Sequence, residues 1–211
     1  MHRIRPGRAA AAAALFGVAG VQYLLAEAWA SSRYDGYDHL RDTVSQLGVP
    51  ASPAHVVMNA AFCVSAVSVA IAGWASAPVL RRRRRRVYLG AIAAYSVGSL
   101  LVAAVHTSAE NAGVHVAGAI AAIGAGNLIP ILVGTGVPDC PRWYRAASIG
   151  LGVVGSAGSV LLIAGVGPVG LAERIGIDTF VGWEILTAVA LVRSAVSRKV
   201  VDSPADTRPH S

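Results

Sequence analysis

Six stretches of roughly 20 apolar residues, each nearly free of charge, constrain this chain more than any other feature. They run from about Ala9 to Ala30, Ala54 to Ala77, Val87 to Val105, Val114 to Gly136, Ala146 to Val166 and Ile177 to Val196. Each is long enough to cross a bilayer core as a helix. Helix is the required form, because backbone polar groups in lipid must pair within their own segment. Only 14% of the 211 residues are charged, against about 25% in a soluble domain. The expectation is an all-α polytopic membrane bundle of six transmembrane helices, with the lipid bilayer as its first partner.

Charge placement orients the bundle. With the N-terminus inside, 15 of the 18 basic residues fall in inner segments. The outer segments hold only Arg33, Arg41 and Arg174. Short cytoplasmic loops carry such an excess, so both ends are expected inside. The organisation is then a cytoplasmic N-terminus over 1–8, one membrane domain over 9–196 and a polar, disordered cytoplasmic tail over 197–211. The run Arg81 to Arg86 supplies six of the basic residues between two apolar spans. It reads as a topology anchor beside anionic lipids. Nucleic acid is not an expected partner despite the net charge of +7, because aromatics do not interleave with the basic residues. Ala28-Trp29-Ala30 resembles a signal-peptide cleavage site, but the first span exceeds a signal core in length, which argues for a retained helix. Cys63 and Cys140 are expected at different depths, so no disulfide joins them.

The later spans are rich in small residues. Gly152 and Ser156 form a small-xxx-small pair that lets helix backbones approach. Pro130 removes a helix hydrogen bond in the fourth span and is expected to kink it near Gly126. Asn127 reads as glue between helices. The first outer loop, from Ser31 to Pro53, is long for a connection between neighbours. A short amphipathic helix from about Tyr37 to Leu47 would put Leu40, Val44 and Leu47 on one face and fold the loop back as a lid.

The polar residues converge on one membrane face. Seven of the 11 acidic residues fall in or beside the outer loops, together with His39, His55, His106 and His115. Glu184 lies inside the sixth span, where a carboxylate is costly unless paired or solvated. An ion pair to Arg174 is one expectation for it. His55 and Asn59, four apart, share a face of the second span. Tyr95, Ser99 and His106 share a face of the third. His106, His115 and Glu184 are the catalytic candidates, and His55, Asp42, Arg174 and Asn59 the substrate-binding ones. No spacing identifies a metal site or a cofactor.

The segment from Tyr34 to Gly48 resembles the outer-loop signature of a bacterial membrane family catalogued as domain of unknown function 998. Tyr37, Asp42, Val44, Ser45, Leu47 and Gly48 match its pattern, and Met58, Asn59 and Phe62 match the start of its second helix. His115 matches a histidine opening the fourth helix, and Gly170 to Ile175 match a segment before the last. Val105 to Glu110 replaces the Phe-Pro-Cys-type stretch of many members. The resemblance implies six helices in the bacterial cytoplasmic membrane and no established reaction.

Two functions follow as expectations. One is a non-catalytic binding, carrier or accessory protein with a polar site at the outer face, taking a lipid or small apolar ligand. The other is a hydrolase-like membrane enzyme acting on a lipid at the outer leaflet, with histidine and carboxylate as acid and base.

Overall fold

The computed structural model describes residues 4–138 and 140–201. Six long helices fill it: α1 (Pro6–Ser32), α2 (His55–Ser76), α3 (Arg82–Ala104), α4 (Ala112–Gly136), α5 (Arg142–Ala164) and α6 (Val169–Val201). All six have the length and composition to cross a membrane. Residues 1–3, Asp139 and most of the expected disordered tail lie outside the described residues.

Local chemistry explains several boundaries. Pro6 opens α1, where a missing N–H costs nothing. Gly165 ends α5 in the left-handed region, and Val166 N–H returns to Leu161 O. Pro130 lies within a continuous α4. The largest departure from the sequence reading is α6, which starts at Val169 rather than near Ile177. Glu173 and Arg174 dilute the apolar signal there, yet both are buried on the helix.

Each helix packs on its chain neighbours, and α6 packs back on α1, so the six close into a ring in chain order. α6 also touches α4 across the ring. Phe16, Val69, Tyr88, Ile92, Ile129, Phe180 and Trp183 fill its middle. The outward faces expose Val18, Leu25, Val64, Ile71, Val97, Ile120, Val153 and Ile163. Exposed Trp29 lies near one end of the ring, and exposed Trp74 and Trp143 near the other. Arg33 covers the Trp29 ring and Arg8 the Trp74 ring. Apolar walls between tryptophan-bearing ends are what a bilayer selects. The chain is a multi-pass membrane protein.

The connection between α1 and α2 folds over one end, hereafter the loop end; Arg81 to Arg86 mark the opposite, arginine end. The amphipathic helix expected over 37–47 does not form. A 3-10 helix covers only Val44–Gly48. The carbonyls of His39, Leu40 and Asp42, which a longer helix would bond internally, instead accept hydrogen bonds from α6. The expected apolar face splits as a result. Val44 and Leu47 are fully buried against Tyr23, Met58, Phe62 and Val181, while Leu40 is 53% exposed.

Candidate functional site

The loop is fastened by polar side chains from four helices. Arg174, in the second turn of α6, is the hub. Its Nε donates to Glu27 Oε1 of α1 at 2.8 Å in a buried ion pair. Its Nη1 donates to His39 O at 2.6 Å and Asp42 O at 2.8 Å, and its Nη2 to the Tyr37 hydroxyl at 2.5 Å. Tyr37 in turn donates to Thr43 O at 2.9 Å. Half-burial pushes the Tyr37 hydroxyl up to about 12, against the opposing hydrogen bond from Arg174. It therefore remains a donor at neutral pH. Leu171 N–H, an unpaired donor of the first turn of α6, bonds Leu40 O. Gly170 has to be glycine for this docking: a Cβ there would strike the carbonyl oxygens of Asp42 and His39.

Glu173 grips the next part of the loop. One of its oxygens accepts from Val44 N–H, and the other from the Ser45 hydroxyl at 2.9 Å. Ser45 Oγ also lies 3.1 Å from Nε2 of His115 on α4. His115 Nδ1 lies 2.6 Å from Val105 O, a pure acceptor, so Nδ1 carries a proton. A serine hydroxyl has one hydrogen. It cannot serve both Glu173 and an unprotonated Nε2. Both contacts are hydrogen bonds at once when one further proton resides in the chain. That proton sits either on Nε2, pointing at Ser45, or on Glu173, with Ser45 donating to His115. The arrangement is a three-residue proton relay with serine in the middle.

The charge around it is unbalanced. Glu27, Glu173 and Asp178 are the acids near Arg174. One oxygen of Asp178 and the Tyr23 hydroxyl are buried without a hydrogen-bond partner among the described residues. Below the relay lies a cavity of about 50 Å³ between α2, α3, α4 and α6. Ser45 and Glu173 line it along with Tyr95, Ser99, Val102, Ile123 and Phe180. Its walls are mainly apolar and its loop end is polar.

The other residues expected from sequence divide clearly. Asn59 Nδ2 donates to Gly48 O at 2.9 Å and pins the end of the 3-10 helix. The Asp42 carboxylate accepts from Asp38 N–H inside the loop, and it is the Asp42 carbonyl that meets Arg174. His55 Nδ1 donates to Ser52 O at the start of α2. His106 bonds Ser108 locally. Glu184 lies eleven residues beyond Glu173 on α6, roughly 16 Å along the axis. It makes no ion pair with Arg174, which is committed to Glu27. His106, His115 and Glu184 are therefore not drawn into one constellation. Ser45, Glu173, Glu27 and Tyr37 are the site residues that sequence reasoning left off its candidate list. Ser45 and Tyr37 stand in the loop motif and Glu173 in the motif at Gly170 to Ile175, so the signal for these three was present.

Among the described residues no three His, Cys, Asp or Glu side chains gather to hold a metal ion. Cys140, at the arginine end, has its thiol pushed up by burial, which opposes a reactive thiolate. A family model described as "Protein of unknown function (DUF998)" matches residues 17–190. Neither a curated protein nor a solved structure matches the chain.

Proposed function

Since the chain belongs to the DUF998 family, whose description assigns no reaction, we propose that it is a non-catalytic binding or carrier protein. Its site is the loop-capped cavity, and its ligand is a small apolar group such as the tip of a lipid chain. The observation that carries this reading is the cavity itself: apolar walls from α2, α3, α4 and α6 meet a polar ceiling of Ser45 and Glu173. Ligand sites pair an apolar lining with a few placed polar groups in this way. In this reading the loop end faces outward and both termini face the cytoplasm of a bacterium. Arg81 to Arg86, all exposed, then meet anionic headgroups of the inner leaflet.

A fatty acid bearing a diazirine, in phosphatidylglycerol vesicles that hold the full chain, tests the site. Saturable crosslinks to Phe62, Val102, Ile123 or Phe180 are expected, and Ala122→Phe, which fills the cavity, should remove them. Crosslinks confined to outward residues such as Val97 and Ile120, unchanged in Ala122→Phe, would overturn the reading.

One observation favours a second reading. Ser45 Oγ sits beside His115 Nε2, and Val105 O holds the ring through Nδ1. A nucleophile, a base and an orienting acceptor are the parts of a serine hydrolase, here one acting on a lipid ester. Covalent labelling of Ser45 by a fluorophosphonate, lost in Ser45→Ala, would establish that chemistry. Absence of labelling leaves the binding reading in place.

A further inference from the structure

Glu184 is the buried group that the loop-end site does not use. It is 1% exposed, at the middle of the ring, and neither carboxyl oxygen has a hydrogen-bond partner among the described residues. Its chain neighbours Phe180 and Trp183 belong to the apolar core. An isolated charge at such a place is expensive. The basic group nearest along α6 toward the loop end is Arg174, ten residues and roughly 15 Å away and paired with Glu27. Across the ring, the Tyr95 phenol of α3 reaches this level, its ring centroid 4.8 Å from that of Phe180, one turn before Glu184. The titratable groups of α1 near α6, Tyr23 and Glu27, sit nearer the loop end. α2 offers His55 and Cys63, α4 His115, and α5 Tyr144, whose hydroxyl is bonded to Thr187.

Glu184 lines no cavity itself, but two cavities are lined by its neighbours on α6, one by Phe180 a turn before it and the other by Trp183 and by Thr187 a turn after it. From the loop end comes the cavity of about 50 Å³ that carries Ser45 and Glu173 at its ceiling and Tyr95 and Ser99 on its wall. A water needs about 10–15 Å³ by this measure, so a short file of waters fits. From the arginine end comes a larger cavity of about 400 Å³ lined by Tyr88, Tyr144, Trp183 and Thr187. That approach is barred by two bonds: Trp183 Nε1 to Ser148 Oγ at 3.1 Å, and Tyr144 to Thr187 at 2.8 Å.

We propose that Glu184 is a proton-binding site whose proton exchanges with the loop-end solution through the relay of His115, Ser45 and Glu173 and the cavity beside Tyr95. The unpartnered carboxyl is the terminus of this path. The cavity is the gap that water spans, and the relay is its entrance. Intramembrane carboxyls are rare and, where they occur, mark ion pathways and proton relays among other functional sites. The inference does not depend on whether the cavity also takes a lipid.

Infrared spectroscopy of the full chain in lipid vesicles tests it without a substrate. A carboxylic acid C=O component should be lost in Glu184→Gln and move rather than vanish in Glu184→Asp. On transfer to D2O the band should shift well before the core amides exchange. Ala122→Phe, which plugs the loop-end cavity, should slow that shift at least tenfold, and Ala190→Phe, which fills the arginine-end cavity, should leave it unchanged. A carboxylic acid signal unchanged in Glu184→Gln, a Glu184 component that shifts only with the core amides, or equal slowing by both cavity variants would overturn the proposal. Lipid crosslinking reads a different signal, so either proposal fails independently of the other.

Discussion

Arg174 does the work of several residues because a guanidinium has five donors in a rigid fork. One edge meets Glu27, and the others meet loop carbonyls and the Tyr37 hydroxyl. Removing it strands a buried carboxylate together with those loop carbonyls. Arg174→Met is therefore expected to destabilise the protein by about 3–5 kcal/mol. Arg174→Lys should be nearly as costly, since one ammonium cannot span the same set of acceptors. The double variant Glu27→Gln with Arg174→Met should lose less than Arg174→Met alone, because no unpaired charge remains. Thermal unfolding of the purified chain in detergent checks all three. Equal stability of the single and double variants would show that the pair is not coupled. This position also marks what could be read early. Arg174 stood among the binding candidates, but the partner expected for it was Glu184; the actual partner, Glu27, is 147 positions away, and only ring closure brings α1 beside α6.

At the scale of elements, α5 holds the bundle with almost no side chains. Ser148, Gly152, Gly155 and Gly158 are its buried positions beyond Tyr144. Gly152 lies against the Asn127 carbonyl and Ile131 of α4, and Gly158 against Ile175 of α6. At Gly155 a Cβ would strike the side-chain oxygens of Asn127 and Thr179. Asn127 donates from α4 to Gly176 O of α6 at 2.9 Å and accepts from Thr179 at 3.2 Å. The expectation of glue at Asn127 thus meets its partners. The close approach was legible as small residues, but the stripe runs through Gly155, and Ser156 bonds back to its own helix. Gly155→Ala should cost about 1–3 kcal/mol by overpacking, more if the Asn127 bonds break. Gly150→Ala, with nothing within 4 Å, should be neutral. Parallel melting curves decide it, and equal curves would remove the packing argument. The loop followed a different logic. Its apolar spacing suggested a helix, but a helix competes with tertiary donors, and α6 supplies donors to which the loop carbonyls bond instead.

At the scale of the whole molecule, orientation has the largest consequence, because it decides which solution meets the relay. Of the basic residues, 15 lie on the side assigned to the cytoplasm and 3 on the other. Reporters fused after Ser203 and after Ala112 should therefore read cytoplasm and exterior respectively. An exterior reading at Ser203 would invert the assignment and turn the relay toward the cytoplasm. The six helices, their membrane location and their order were determined by sequence alone. Apolar runs of about 20 residues leave a chain in lipid no other backbone solution. Sequence also placed many of the polar residues at one end of the bundle. Which of them meet was decided by tertiary structure. Closing the ring set Arg174 on Glu27, docking the loop set Ser45 between His115 and Glu173, and the rise of α6 left Glu184 buried with no partner among the described residues. Periodicity and charge counts report how each residue relates to solvent and to its own helix, whereas partners across helices depend on rotations and tilts that packing alone selects.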